Sequence, residues 1–281
     1  MREPAVNRHR YRNIFQNAPH CLYCPLYAVQ TVQKLPSTTR LKTLAVQMAA
    51  AAICSLVFLS LAQTAQPPRY ATVPASADGI GKQYQGREIA GVMGFQGAAW
   101  LEREAREREE RTDLLMKALA LKPGMVVADI GAGTGYLSRR MGSAVKPGGK
   151  VLAVDVQPEM VQLLKKLATQ KGAQNIVASL GTEQDVGLPM ATVDLAIMVD
   201  VYHELAYPHE VLASIIRALK PGGQLVFIEY RAEDPAVPIK ALHKMTEAQV
   251  RREALVHPQL AWEKTVGTLP WQHMVVFRKR S

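Results

Sequence analysis

Short unbroken apolar runs alternate along this chain with stretches whose apolar residues recur every third or fourth position. Three punctuation marks separate them: LKPGM (Leu121–Met125), VKPGGK (Val145–Lys150) and LKPGGQ (Leu219–Gln224). Each places Pro and Gly after a helical stretch and before a strand-like one, where helices stop. The pattern predicts helices over Asp113–Leu121, from Tyr136 through Met141, over Pro158–Thr169 and over His209–Leu219. It predicts strands over Met125–Ile130, Lys150–Val156, Ile176–Leu180, Val193–Asp200 and Gln224–Tyr230. Apolar runs without polar alternation suit parallel strands covered on both faces. Strand and helix taking turns in this way predicts a doubly wound α/β sheet. After Tyr230 the rhythm changes. A helix over Thr246–Leu255 precedes two strands, Ala261–Val266 and Gln272–Arg278, joined by the turn-like GTLP and suited to antiparallel pairing.

Upstream, the charge-dense WLEREAREREERTDLL (Trp100–Leu115) spaces Glu102–Arg106, Glu104–Arg108 and Glu107–Arg111 at i,i+4. That spacing supports a helix with a solvated face. The glycine-rich, aromatic GREIAGVMGFQGAAW before it makes residues 86–121 a candidate helical lid.

Composition changes the picture mainly at the N-terminus. Residues 1–43 carry seven Arg or Lys residues against Glu3, which is +6 of the formal +10, and residues 44–65 carry no charge. The remaining chain is only mildly basic, so it has no obvious electrostatic footprint for nucleic acid. Residues 1–43 read as an irregular basic leader. The uncharged segment 44–65 has the length and the small residues (Ser60, Leu61, Ala62) of a signal peptide. A short membrane anchor is the rival reading, and a buried core helix the third. The first two favour an exported, periplasmic or membrane-anchored location, with membrane association through 44–65. Residues 66–85 read as a Pro- and Ala-rich linker, and 86–281 as the catalytic domain. All three cysteines (Cys21, Cys24, Cys54) precede Gln66. The domain therefore has no thiolate chemistry, and no metal site is expected in it.

The first strand runs into VVADIGAGTGYLSRR (Val126–Arg140). In an open α/β sheet, ligands bind at the carboxyl ends of the strands. The glycines of Gly131-Ala132-Gly133-Thr134-Gly135 let the backbone approach a ligand closely. A dinucleotide fingerprint needs glycine where Tyr136 stands, which argues against a nicotinamide dehydrogenase. Asp129 would repel a pyrophosphate and attract an ammonium. Asp155, ending the second strand, can accept hydrogen bonds from a ribose diol. A ribose beside a cationic amino acid describes S-adenosylmethionine (SAM).

VVADIGAGTGY, VLAVDVQPEM, VDLAIMVDVYHEL and LKPGGQLVFIEYR together resemble the successive motifs of the class I SAM-dependent methyltransferases. The resemblance covers about Asp113–Arg231. It implies a seven-stranded, mostly parallel Rossmann-like sheet whose last strand is antiparallel. It implies SAM as cofactor, with Asp129 near the methionine amine and Gly131, Ala132, Gly133 and Gly135 lining the ligand. It places Asp155 on the ribose and Val156, Gln157 and Met160 beside the adenine. The family's acid at the adenine amine is replaced here by Thr182, leaving Asp185 or a backbone group to serve.

Methyl transfer is an in-line displacement that depends chiefly on positioning. The acceptor should meet the methyl near DVYHEL, where Asp200, Tyr202, His203 and Glu204 lie. Asp200, Tyr202 and His203 are the catalytic candidates, His203 as a general base, and Asp200 also reaches the cofactor side. Glu229, Tyr230 and Arg231 share the rim, and LHKM (Leu242–Met245) can cap it. No NPPY-like tetrad follows the fourth strand, which counts against methylation of base or glutamine amino groups. A small-molecule acceptor is expected, lipid-like if the chain meets a membrane. A SAM-fold protein that binds without catalysis is the alternative.

Overall fold

The computed structural model describes residues 68–281, so the expected leader, the 44–65 segment and all three cysteines lie outside the described residues. Among the described residues, no helix is long and apolar enough to cross a membrane.

The main sheet has seven strands. Five are parallel: β4 (Val126–Ile130), β5 (Lys150–Asp155), β6 (Ile176–Leu180), β7 (Val193–Val199) and β8 (Leu219–Tyr230). The last two, β9 (Leu260–Val266) and β10 (Gln272–Lys279), close the edge. Their order is β6-β5-β4-β7-β8-β10-β9. β10 runs antiparallel to both β8 and β9. β4 pairs in parallel with β5 on one side and β7 on the other. The strand order therefore reverses at β4, and the crevice above its carboxyl end is where such sheets hold ligands.

The inner strands send alternate residues into two cores. Ala128, Ile130, Val154, Ala196, Met198, Leu225 and Phe227 face one. Val127, Val151, Leu195, Ile197, Val226 and Ile228 face the other. Both faces being buried explains why the strands read as unbroken apolar runs. The covering helices are α4 (Tyr136–Ala144), α5 (Pro158–Gln170), α6 (Pro208–Ala218) and α7 (Glu247–Ala254). α5 and α6 open on proline, whose missing N–H costs nothing at a helix start. α7 opens on Thr246, which accepts the Gln249 N–H at 3.1 Å.

Two stretches depart from the expectation. Part of the expected linker and the first residues of the expected helical lid are strands: β1 (Tyr70–Thr72) and β2 (Gly79–Tyr84) from the linker and β3 (Arg87–Ala90) from the lid form a separate three-stranded antiparallel sheet. Arg87 ties that sheet to the domain, donating to buried Glu253 on α7 at 2.8 Å and to the His203 carbonyl at 3.0 Å. Downstream, the charged stretch is three short helices, α1 (Ala98–Leu101), α2 (Arg106–Glu110) and α3 (Thr112–Leu119), with a break over 102–105. The three expected i,i+4 pairs do not form. Glu102 instead pairs with Arg139 at 2.7 Å, Glu107 takes Arg140 at 3.2 Å, and buried Arg106 pairs with buried Glu110 at 2.9 Å. Glu102 and Glu107 thus tie the lid to α4, while Glu104 and Arg108 stay exposed.

Candidate active site

A cavity of about 960 Å³ opens at the carboxyl ends of β4, β5 and β7. That volume lies within the range of small-molecule sites, about 300–1,000 Å³. Its floor is Ile130, Gly131, Gly133, Asp155 and Asp200. Its roof is the β1–β3 sheet and α1, through Ile80, Val92, Met93, Trp100 and Leu101.

The glycine turn is shaped by close approach. Gly131 has φ +68°, and a Cβ there would lie 2.5 Å from a Val201 methyl. Gly133, at φ +54°, would meet Leu101 of the lid at 2.7 Å. A side chain at either position would need both a left-handed backbone and displaced neighbours. Asp155 organises the turn. Its Oδ2 accepts the Gly133 N–H at 2.9 Å, and its Oδ1 accepts the Gln157 N–H at 2.9 Å. Burial raises its pKa, against the pull of those backbone donors.

Asp129 is 3 % exposed. Its Oδ2 accepts from Ser138 Oγ at 2.5 Å. Burial pushes its pKa up to about 6, with Ser138 and Arg106 pulling down and Asp155 pushing up. Asp129 thus sits beneath the turn, within electrostatic reach of Asp155, and is not part of the cavity wall. Asp200 is. It holds φ +53°, an uncommon conformation for a residue with a side chain. Gln272 Nε2 donates to its Oδ2 at 2.7 Å, and its buried Oδ1 has no partner. Burial raises its pKa well above the usual carboxylate range; Glu110 and Glu229 raise it further, against His203 and Arg106.

Of the expected cofactor residues, Gly131, Gly133, Asp155, Val156, Gln157, Thr182 and Asp200 line the cavity, as does Met160. Ala132 and Gly135 do not: they shape the turn, with Ala132 N–H donating to Val154 O at 3.0 Å and Gly135 packed on Leu164. Asp185 turns away and pairs with Arg217 at 2.7 Å. The acid that does reach the cavity beside Thr182 is its neighbour Glu183.

Of the catalytic candidates, Tyr202 is fully buried in the core, edge-on to Phe227 at 4.9 Å, and does not reach the cavity. His203, 2 % exposed, does. Its Nδ1 lies 2.6 Å from Glu229 Oε2, and its Nε2 lies 3.2 Å from His243 Nδ1. Glu204 Oε1 is 3.7 Å from the first ring and 3.2 Å from the second. Burial lowers the His203 pKa, but Glu229 and Glu204 outweigh it and bring it to about 10. A ring held as a cation has no lone pair for a proton, so this environment does not make a free general base. His243 and Arg106 escaped the sequence reading. Arg106 lay among the exposed charges, and His243 joins the site from 40 residues away. Its only signal was LHKM beside the expected rim.

The fit to SAM rests on the chain's own features. Gly131 and Gly133 bring bare backbone to the cavity wall, and a buried carboxylate oxygen of Asp200 lacks a donor. Buried acids outnumber buried cations around the crevice, which suits a cationic ligand. A seven-stranded sheet of this order, with a glycine turn at the reversal point and an acid at the next strand tip, defines a SAM-dependent methyltransferase of the class I Rossmann-like fold. Residues 121–273 match the family model described as a methyltransferase domain, and the chain belongs to that family. The protein is similar to the ubiquinone/menaquinone biosynthesis C-methyltransferase UbiE of Ectopseudomonas mendocina, 30% identical over 43% of this chain and 47% of that one. It is 35% identical to the uncharacterized methyltransferase Mb3374 of Mycobacterium bovis, over 41% of this chain and 42% of the other. The match thus spans less than half the length of these curated relatives. A SAM-dependent methyltransferase from Aquifex aeolicus superposes with TM-score 0.63 at 26% identity, covering 67% of this chain and 100% of that one.

Proposed function

We propose that this enzyme transfers the SAM methyl group to a small, largely apolar acceptor carrying one ionisable hydroxyl, of the phenol or quinol type. One observation carries the reading. Away from the glycine turn, the cavity is walled by Ile80, Val92, Met93, Trp100, Pro238 and Ile239, and its polar lining includes the cluster of His203, Glu204 and His243, with Asp78, Arg106 and Lys240 also on the wall. A mostly apolar pocket with a few convergent polar groups recognises an apolar body through one polar handle.

SAM supplies a methyl group made electrophilic by its sulfonium. Asp155 holds the sugar through lone pairs not used by Gly133 and Gln157. Val156 and Met160 flank the base, and Glu183 meets its amine. Asp200, with one unpaired oxygen, faces positive charge. The β7–β8 side of the crevice takes the acceptor. There His203, Glu204 and His243 hold its oxygen while the lid and the β1–β3 sheet keep water out. The relatives named for quinone-pathway C-methylation support an acceptor of this character. An anchor at 44–65 would place the domain beside a lipid phase in which such molecules dissolve.

The test is methyl transfer from labelled SAM by the full chain. The panel pairs phenols and quinols with their carboxylated analogues. Label should enter the uncharged acceptors. Transfer only to the charged analogues, or only to nucleic acid or protein, would refute the reading.

A further inference from the structure

We propose that His203 Nε2, Glu204 Oε1 and His243 Nδ1 form a site for one divalent transition-metal ion at the acceptor end of the cavity. These three atoms come from a strand-end turn and a loop 40 residues away, and they lie within 4.8 Å of one another.

Their spacing is that of a coordination sphere. The separations are 3.2 Å between the two nitrogens, 3.2 Å from His243 to Glu204 and 3.7 Å from His203 to Glu204. A point equidistant from all three lies about 2.0 Å from each, inside the range of zinc–nitrogen and zinc–oxygen bonds. An ion lifted slightly out of their plane subtends angles of about 100° to 125°, close to tetrahedral. Two imidazoles and a carboxylate select a transition metal over magnesium or calcium, which take oxygen ligands.

The surrounding groups prepare the ligands. Glu229, 0 % exposed, sits 2.6 Å from His203 Nδ1. An ion binding here displaces the Nε2 proton to solvent, while the Nδ1 proton stays donated to that carboxylate and orients the Nε2 lone pair, the carboxylate–histidine–metal arrangement. Glu229 also accepts the Tyr202 N–H at 3.0 Å, which fixes it in place. Glu204 Oε2 accepts the Met93 N–H at 3.1 Å and so turns Oε1 toward the two rings. All three ligating residues line the cavity. The fourth vertex therefore opens into it.

That vertex gives the site its use. Resting on the reading of the acceptor as a hydroxyl compound, the ion takes the acceptor oxygen and lowers its pKa, so the proton leaves to solvent without a protein base.

The experiment uses the full chain, stripped with a chelator and titrated with zinc alone, in the absence of SAM and acceptor. Wild type should take up one equivalent more than His243→Gln. That comparison also removes any zinc held elsewhere in the chain, which both proteins share. Glu229→Gln, a positioning change, should weaken uptake about 10- to 100-fold. Cobalt in place of zinc should give wild type a visible ligand-field spectrum of tetrahedral strength that His243→Gln lacks. Equal zinc uptake by the two folded proteins overturns the site. So does a cobalt spectrum of hexaaquo type in wild type, which needs no variant to interpret. SAM binding is measured separately on the metal-free protein. SAM bound with no zinc taken up removes the metal site alone; SAM not bound removes the donor reading as well.

Discussion

Asp129 makes the protein's stability depend on pH in a direction opposite to that of an ordinary surface carboxylate. Its pKa rises from 3.8 to about 6 on folding, because burial outweighs the hydrogen bond from Ser138 and the charge of Arg106. Between those values the native state keeps a proton that the unfolded chain has released. Stability from this group is complete below pH 3.8 and is lost as pH rises through 6. At 1.36 kcal/mol per pKa unit, the loss is about 3 kcal/mol. Asp155 and Asp200 shift in the same direction, so the effect has to be isolated by difference. Asp129→Asn removes this titration and leaves the others. Urea unfolding of both proteins without ligand, from pH 3.5 to 7.5, should show wild type losing about 3 kcal/mol relative to the variant across the range. Any pH-independent cost of the amide cancels in that comparison. A constant difference would refute the reasoning. The same carboxyl should report the ligand. A cationic amine nearby draws its pKa back down, so SAM binding at pH 6 should release about half a proton. Binding enthalpies measured in buffers of different ionisation heat would reveal the Asp129 share of that release as the difference between wild type and Asp129→Asn, and that difference should vanish at pH 8.

The remaining predictions separate local from long-range causes. Gly131→Ala combines φ +68° with a Cβ 2.5 Å from Val201, whereas Gly172→Ala has φ +65° and open space. Gly172→Ala should cost about 1–2 kcal/mol by thermal unfolding, and Gly131→Ala about 2–4 kcal/mol together with loss of SAM binding. Equal costs would contradict the packing of the turn. Glu183→Gln should weaken SAM binding by calorimetry while Asp185→Asn leaves it near wild type, because Asp185 is engaged by Arg217; the reverse order would return the adenine contact to Asp185.

The central sheet was legible because each strand carries its own signal. An apolar run bounded by Pro-Gly needs nothing distant to explain it, and β4 to β8 began or ended within a few residues of expectation. The glycine turn and Asp155 were legible for the same reason, since their chemistry follows from adjacent residues. The β1–β3 sheet was not. Its strands are short, polar and glycine-bearing, and what holds them is distant: Arg87 on Glu253, and Tyr70 Oη donating to Glu210 at 2.5 Å. The charged lid misled for a related reason. Pairs at i,i+4 are worth only a few tenths of a kcal/mol each. Arg139 and Arg140 on α4 take Glu102 and Glu107 as partners, the i,i+4 pair that does form, Arg106–Glu110, is buried, and the continuous helix that the local spacing promised is broken over 102–105. Tyr202 lay between two site residues in sequence, yet its ring turned into the core against Phe227.

Taken together, the buried charges explain why the site is built around an acid it does not expose. Asp155 and Asp200 line the crevice, with Asp129, Glu110 and Glu229 buried behind its wall, answered by Arg106, Arg103 and His203. Arg103 and Arg106 both spend their charge on Glu110, at 2.8 and 2.9 Å. His203 spends its charge on Glu229. Asp129, Asp155 and Asp200 are left with neutral donors: Ser138, two backbone N–H groups and Gln272. Neutral donors lower a buried carboxylate's energy without cancelling its charge, which is why all three pKa values rise. These buried carboxylates cost stability, and a ligand bearing positive charge relieves that cost. A sulfonium with an ammonium group does so, whereas the neutral thioether left after transfer keeps only the ammonium. The same arrangement that attracts the donor therefore weakens the hold on the spent cofactor, so product release follows from the electrostatics that drive binding.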